Sequence, residues 1–213
     1  GSGVFARGRV DVGTAVLFRE TEAPTQGHVL DLGCGDGSLL HYLKSTKQIH
    51  EIGLEIDPDN MEKSIFNGIN VIQQDLDRGL ENFQSHSFDT VLLAQTLQAL
   101  SNPAELVDDM LRIGKNGIIT FPNFGNWKSR LYLFTRGRMP VSKFMPHQWY
   151  DTPNIHFCTV KDFDALCREK NITVLTRTVV DSQHQGSWAM KAWPNFLGEI
   201  AIYHLTKRSG SQV

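Results

Sequence analysis

Short apolar runs alternate with amphipathic stretches along most of this chain. His28–Leu32 is an apolar run that passes into glycines and predicts a first strand. Ser38–Lys44 follows with Leu39, Leu40, Tyr42 and Leu43 at helical spacing. Glu51–Ile56 predicts a second strand. Asp57-Pro58 then supplies an N-cap and a proline at the first helical position, Met61 and Ile65 share one face of that helix, and Gly68 ends it. Asn70–Gln74 and Phe88–Ala94 predict the third and fourth strands. Asn102-Pro103-Ala104-Glu105 predicts a helix start with a cap, an N1 proline and an acid at N3, and Leu106, Met110 and Ile113 form the buried face. Asn116-Gly117 predicts a turn into a fifth strand, Ile118–Phe121. Thr159-Val160-Lys161-Asp162 caps a helix with Phe163, Leu166 and Cys167 inward, and Ile172–Val180 and Glu199–Thr206 predict a last pair of strands. This alternation predicts an α/β fold of the Rossmann-like, doubly wound kind, a mostly parallel sheet with helices on both faces.

The pattern divides the chain into a lead-in, residues 1–27, and a single domain, residues 28–207. In the lead-in Ala15, Val16, Leu17 and Phe18 suggest a helix running toward the sheet. Residues 123–157 interrupt the alternation and read as an insertion or lid. There Trp127, Leu131 and Phe134 fall at i, i+4 and i+7, so a helix with an apolar face is expected, with Lys128 and Arg130 among its other residues. Two readings stand for it: a helix packed on the sheet with a solvated basic face, or a surface for a partner or cofactor lid.

Composition narrows the class. Of 213 residues, 40% are hydrophobic and 21% charged, and no apolar run is long enough to span a bilayer, which points to an ordinary globular protein with no membrane partner. No signal-peptide pattern opens the chain, so a cytoplasmic location is expected. Cys34, Cys158 and Cys167 are scattered, and the eight histidines are dispersed, so neither disulfides nor a metal site is expected. Charge is uneven. Asp31 to Asp109 holds 14 acids and four bases, whereas Met110 to Tyr150 holds seven bases and no acid. The first zone suits a cationic or hydroxyl-rich ligand and the second an anionic partner.

Candidate chemistry concentrates at Asp31-Leu32-Gly33-Cys34-Gly35-Asp36-Gly37, a strand running through three glycines into a helix. Glycine permits positive φ and close approach of a ligand to the backbone, and the helix start adds a positive partial charge. The spacing departs from the dinucleotide pattern Gly-x-Gly-x-x-Gly, whose third glycine position is Ser38 here. Glu55 closes the second strand and can accept both hydroxyls of a ribose, with Ile56 beside it. Asp75 closes the third strand, placed either to accept from the exocyclic amine of adenine, with Leu76 packing on the ring, or simply to cap the next turn. Gln95, just past the fourth strand, faces the amino-acid end of a cofactor or a substrate.

These residues together resemble the class I S-adenosylmethionine-dependent methyltransferases, over about residues 28–122. The resemblance implies that the glycine loop contacts the methionine part, Glu55 the ribose and Asp75 the adenine, and that the last two strands form an antiparallel hairpin. It carries over Asp31, Gly33, Gly35, Glu55 and Asp75 as cofactor-binding residues, beside Cys34, Ile56, Leu76 and Gln95, for S-adenosylmethionine or S-adenosylhomocysteine. Further stretches narrow it: Gly53–Asn60, Asn70–Asp77, Gln95–Gln98, Phe121–Trp127, Arg136–Pro140, Trp149–His156 and Cys158-Thr159 resemble the MetW family of bacterial methionine-biosynthesis proteins, over about residues 28–206. That implies work beside a homoserine O-acyltransferase.

Three functions compete. A small-molecule methyltransferase needs in-line positioning of a nucleophile and, if the nucleophile carries a proton, a base; Gln95, Tyr150 and His156 are the candidates. A cofactor-binding accessory subunit would sense the cofactor and regulate the acyltransferase. A nucleic-acid methyltransferase has only the basic stretch in its favour, and nucleic acid is not expected as a partner.

Overall fold

The computed structural model describes residues 26–142, 145–181 and 187–207. The suggested helix at Ala15–Phe18 lies outside the described residues.

The strands are β1 (Gln26–Leu32), β2 (Gln48–Glu55), β3 (Val71–Gln73), β4 (Phe88–Ala94), β5 (Gly114–Pro122), β6 (Ile172–Val180) and β7 (Ile200–Lys207). They form one sheet in the order β3-β2-β1-β4-β5-β7-β6. The first five run parallel, and β7 is antiparallel to both β5 and β6. The order reverses between β1 and β4, and a crevice at the carboxyl ends of strands flanking such a reversal is where open α/β sheets bind ligands.

The helices are α1 (Ser38–Thr46), α2 (Pro58–Phe66), α3 (Pro103–Ile113), α4 (Trp127–Arg136), α5 (Val160–Glu169), α6 (Trp188–Ala192) and α7 (Pro194–Leu197). Successive strand residues point to opposite faces, and each face is covered. Leu30, Leu32, Val91 and Leu93 pack with α3 and α5 in one core cluster, whereas Val29, Leu92 and Ile118 pack with α1 in the other. The apolar strands thus read as near-continuous hydrophobic runs because both faces are buried.

Local signals explain most boundaries. Asp57 caps α2, accepting from Asp59 N–H at 2.8 Å and Asn60 N–H at 3.1 Å. Thr159 and Asp162 form a reciprocal capping box on α5. Four expectations are corrected. Asn116-Gly117 is not a turn; both residues lie inside β5, opposite Thr90 and Val91. Gly117 is there because a Cβ would come within 3.0 Å of the Leu111 and Met110 side chains, so it lets α3 approach the strand. Asn102 stands at the N-cap position of α3, but its side chain makes no cap bond. The only buried residue of α2 is Ser64, while Ile65 is exposed and Met61 half-buried. Finally, α4 does form, capped by Asn126, but its apolar residues are not packed on the sheet.

Candidate cofactor site

The site is built at the carboxyl ends of β1, β2 and β4. Gly33, Gly35 and Gly37 all take positive φ, at 72°, 58° and 71°, a region that residues bearing a Cβ rarely adopt. The loop is tied to β2 by three hydrogen bonds: Gly33 and Cys34 N–H donate to the Leu54 carbonyl at 2.8 and 2.9 Å, and Gly35 N–H donates to Glu55 Oε2 at 2.8 Å. It is propped from beneath by α2. Ser64 Oγ donates to the Gly35 carbonyl at 2.9 Å and Asn67 Nδ2 to the Asp36 carbonyl at 2.9 Å. Only a small side chain fits there, which is why α2 turns a serine and not its apolar residues inward. Asp36 Oδ1 then accepts from Ser38 N–H at 3.0 Å and starts α1.

Glu55 is 8% exposed and heavily engaged. Its Oε1 accepts from Ile56 and Asp57 N–H at 2.8 and 2.9 Å, in addition to the Oε2 bond from the loop. A carboxylate offers about four lone-pair directions. One therefore remains for a ligand hydroxyl, not the two that a bidentate grip on a diol would use. Ile56, beside it, exposes more than half its surface and offers an apolar face.

Asp31 is the other buried acid. It is 1% exposed, and its Oδ1 has no hydrogen-bond partner among the described residues. Burial, and secondarily the Glu55 charge, push its carboxyl up to about 7. A buried acceptor with no donor is costly, and a second negative group beside it adds to the cost. The pair is electrostatically matched to a ligand that brings a positive charge and N–H donors.

The other expected residues are placed as follows. Cys34 is buried against Gly53, where a Cβ would lie 2.4 Å from its Sγ, so glycine at 53 is what lets the loop sit against β2. Burial drives the Cys34 thiol far above its usual range, and Cys158 and Cys167 are raised to about 12 and 11 by burial first and nearby Asp162 and Asp164 second. Their environments thus favour the thiol over the reactive thiolate form. Asp75 caps a single 3₁₀ turn at Leu76–Arg78, accepting from Asp77 N–H at 3.0 Å, with Arg78 3.7 Å away. Leu76 points into the core and does not present a face to a ring.

Gln95 holds a left-handed backbone, φ 55°, at the end of β4, a strained state for a residue with a side chain. Its N–H donates to the Thr120 carbonyl at 3.0 Å, and Gln98 Nε2 donates to its carbonyl at 2.6 Å. Gln98 Oε1 is buried without a partner among the described residues. The Gln98 carbonyl also accepts from Ile155 and His156 N–H at 2.9 and 3.0 Å, so the end of the insertion is pinned beside β4. His156 Nε2 lies 3.4 Å from the Ser101 carbonyl. Tyr150 is exposed and packs edge-on against Trp149. The structure therefore brings Gln95, Gln98 and His156 together and leaves Tyr150 apart from their hydrogen bonds.

Sequence reasoning missed Asn123 and Asn126. Asn123 is 2% exposed; its Nδ2 donates to the Asn195 and Gly198 carbonyls, and its Oδ1 accepts from Gly125 and Val160 N–H. Asn126 Nδ2 donates to the Leu197 and Gly198 carbonyls while its Oδ1 caps α4. These two amides fix the exit of β5 to the chain before β7. Their signal was the run Pro122-Asn123-Phe124-Gly125-Asn126, whose asparagines follow a strand without any obvious turn.

Among the described residues, no group of three or more His, Cys, Asp or Glu side chains is placed to hold a metal, and no helix is long and apolar enough to cross a membrane.

Comparison with known proteins gives a consistent picture. The family described as methionine biosynthesis protein MetW matches residues 19–205. The bifunctional methionine biosynthesis protein MetXA/MetW of Rhodopirellula baltica is 37% identical over 160 residues, which cover 71% of this chain and 26% of that protein. The chain thus spans about a quarter of that relative's length. Among solved structures, a SAM-dependent methyltransferase from Archaeoglobus fulgidus superposes with a TM-score of 0.66 at 16% identity, covering 94% of this chain and 96% of its own. The [4+2]-cyclase SpnF does so with 0.62 at 17% identity, covering 92% and 81%. At such identities the likeness concerns the fold alone: a class I methyltransferase sheet with its one antiparallel hairpin.

Proposed function

This chain belongs to the MetW family of methionine biosynthesis proteins, and from that premise we propose that it binds S-adenosylmethionine or S-adenosylhomocysteine and uses the bound state to act with, or regulate, a homoserine O-acyltransferase. The observation that carries the cofactor assignment is Asp31: a buried acid with an unpartnered oxygen, next to buried Glu55, at the lip of the glycine loop. The methionine part of the cofactor brings an ammonium and a sulfonium, the charge this pair lacks. When bound, the cofactor supplies an electrophilic methyl group.

In this reading the chain's own residues divide the work. Gly33, Cys34 and Gly35 hold the loop open to the methionine part. Asp31 answers its positive charge. Glu55 gives its one free acceptor direction to a ribose hydroxyl, and Ile56 offers an apolar face to the adenine. Asp75 is placed at the adenine end, although capping and Arg78 already engage both its oxygens.

The alternative, a small-molecule methyltransferase, is less well supported. Gln95 and Gln98 are amides, which orient groups but cannot take a proton. His156 is the titratable candidate for a base, and its ring Nε2 lies 3.4 Å from the Ser101 carbonyl. Function resides in the site and not in the architecture, so binding without turnover is a coherent use of this fold.

The partner rests on the Rhodopirellula relative, which joins a MetXA part and a MetW part in one chain. The test is an acyl-transfer assay with the homoserine O-acyltransferase of the same organism, with and without this protein, and with and without the cofactor. A change in acyl-transfer rate that depends on the cofactor is expected. Labelled methyl transfer to homoserine or its acyl esters, lost in Gln95→Ala or His156→Ala, would restore the enzyme in place of the accessory subunit.

A further inference from the structure

α4 is an anomaly of packing. Nine of its ten residues are exposed, only Ser129 being buried. Yet it carries Leu131, Leu133 and Phe134, the last 88% exposed. A helix of this length is marginal in water by itself, and most helix stability comes from burying an apolar face. Among the described residues, nothing buries this helix beyond Ser129.

The surface extends beyond α4. The start of α4 is fastened to the α7 segment: Asn126 bonds to Leu197 and Gly198, Lys128 pairs with Glu199, and the Arg130 guanidinium sits 5.8 Å over the Phe196 ring. One or two helical turns from this joint lie Trp188 and Trp193, 81% and 65% exposed. Fully buried aromatic side chains cover about 200 Å² each, so Phe134, Trp188 and Trp193 alone offer roughly 450 Å². That is more than half of the ~800 Å² that each side of a standard specific interface buries. Exposed apolar surface of this size on neighbouring segments is a candidate interaction site.

Charge selects the occupant. Arg136 and Arg138 are exposed at the far end of α4, with no ion pair or hydrogen bond among the described residues, and no acid occurs anywhere from 110 to 150. The complementary surface is apolar with an acidic rim.

We propose that α4, with the exposed aromatics of α6 and α7, is the docking face for the homoserine O-acyltransferase. This rests on the partner assignment above. A relative that carries both parts in one chain keeps them permanent neighbours, and a lasting apolar contact is what such neighbours allow. The α4 part of this face lies on the insertion after β5, two strands along the sheet from β1 and its glycine loop.

The experiment measures the dissociation constant between this protein and the acyltransferase of the same organism, with the mass of each species checked by light scattering. The variants are Phe134→Glu, Arg136→Glu with Arg138→Glu, and Phe66→Glu on α2 as an equally exposed aromatic elsewhere. Circular dichroism confirms that each is folded, which exposed positions should not disturb. The expected result is a complex of micromolar affinity or tighter, weakened at least tenfold by Phe134→Glu and unaffected by Phe66→Glu. The double charge reversal should slow association, most at low salt. If the wild type binds and both α4 variants bind within twofold of it, the docking face is elsewhere while the partner assignment survives. If the wild type forms no complex, both fall. If the wild type is a dimer that Phe134→Glu dissociates, α4 meets a second copy of this chain and the proposal is overturned.

Discussion

Replacing Asp31 by Asn isolates the electrostatics of the buried acid pair. Asn has nearly the shape of a protonated Asp and cannot ionise. In the folded chain burial and then Glu55 raise the Asp31 carboxyl from its ordinary 3.8 to about 7. Between those values the folded chain holds a proton that the unfolded chain has lost, so stability falls as pH rises through this window and levels off above 7. Each pKa unit corresponds to about 1.4 kcal/mol, which makes the loss between pH 5 and 8 about 3 kcal/mol. The assay is urea unfolding of wild type and Asp31→Asn at intervals from pH 5 to 8.5. Groups away from this acid pair titrate equally in both, so the difference between the two curves reports Asp31 and its coupling to Glu55. It should grow with pH in favour of the variant, by about 3 kcal/mol, and then flatten. Parallel curves across the range would refute the claim that Asp31 is a desolvated acid without a donor.

Three further outcomes follow from the same structure. A cationic ligand that pairs with Asp31 should lower its pKa, so affinity for S-adenosylmethionine should rise between pH 5 and 7 with release of one proton; calorimetry in buffers of different ionisation enthalpy reads that proton, and none released would count against the pairing. Asn123→Ala removes four hydrogen bonds and leaves buried backbone partners unsatisfied, so unfolding should come about 3 kcal/mol more easily in denaturant melts. Gly53→Ala would thrust a methyl against the Cys34 sulfur and should cost about 1–3 kcal/mol by thermal denaturation, together with weakened cofactor binding as the loop shifts.

The strands and the glycine loop were legible because they are written locally. Period, β-branching and glycine position each depend on a few adjacent residues, as in Phe88–Ala94 or Gly33–Gly37. What escaped depends on partners distant in the chain. Gly117 has the look of a turn, but it is glycine because α3 lies against it. Ile65 has the look of a core residue, yet Ser64 is the one turned inward, since the glycine loop needs a small prop 29 residues away. Glu55 was placed at the end of its strand, but that three backbone N–H groups would occupy it depends on how the loop folds back. Asn123 and Asn126 stood out only as asparagines after a strand without an obvious turn, because the carbonyls their amides hold lie some 70 residues later. The α4 helix itself was readable from Trp127, Leu131 and Phe134; that its apolar residues stay exposed among the described residues could be seen only in the fold.

The central claim is that this glycine loop and its two buried acids form a site for S-adenosylmethionine. Isothermal calorimetry at pH 8, with S-adenosylmethionine, S-adenosylhomocysteine and NAD titrated into wild type, Asp31→Asn and Glu55→Gln, tests it most directly. The account predicts saturable one-to-one binding of the first two ligands, none of NAD, and at least tenfold weaker S-adenosylmethionine binding in both variants. Absence of binding by either sulfur ligand, or affinities unchanged in the two variants, would contradict it.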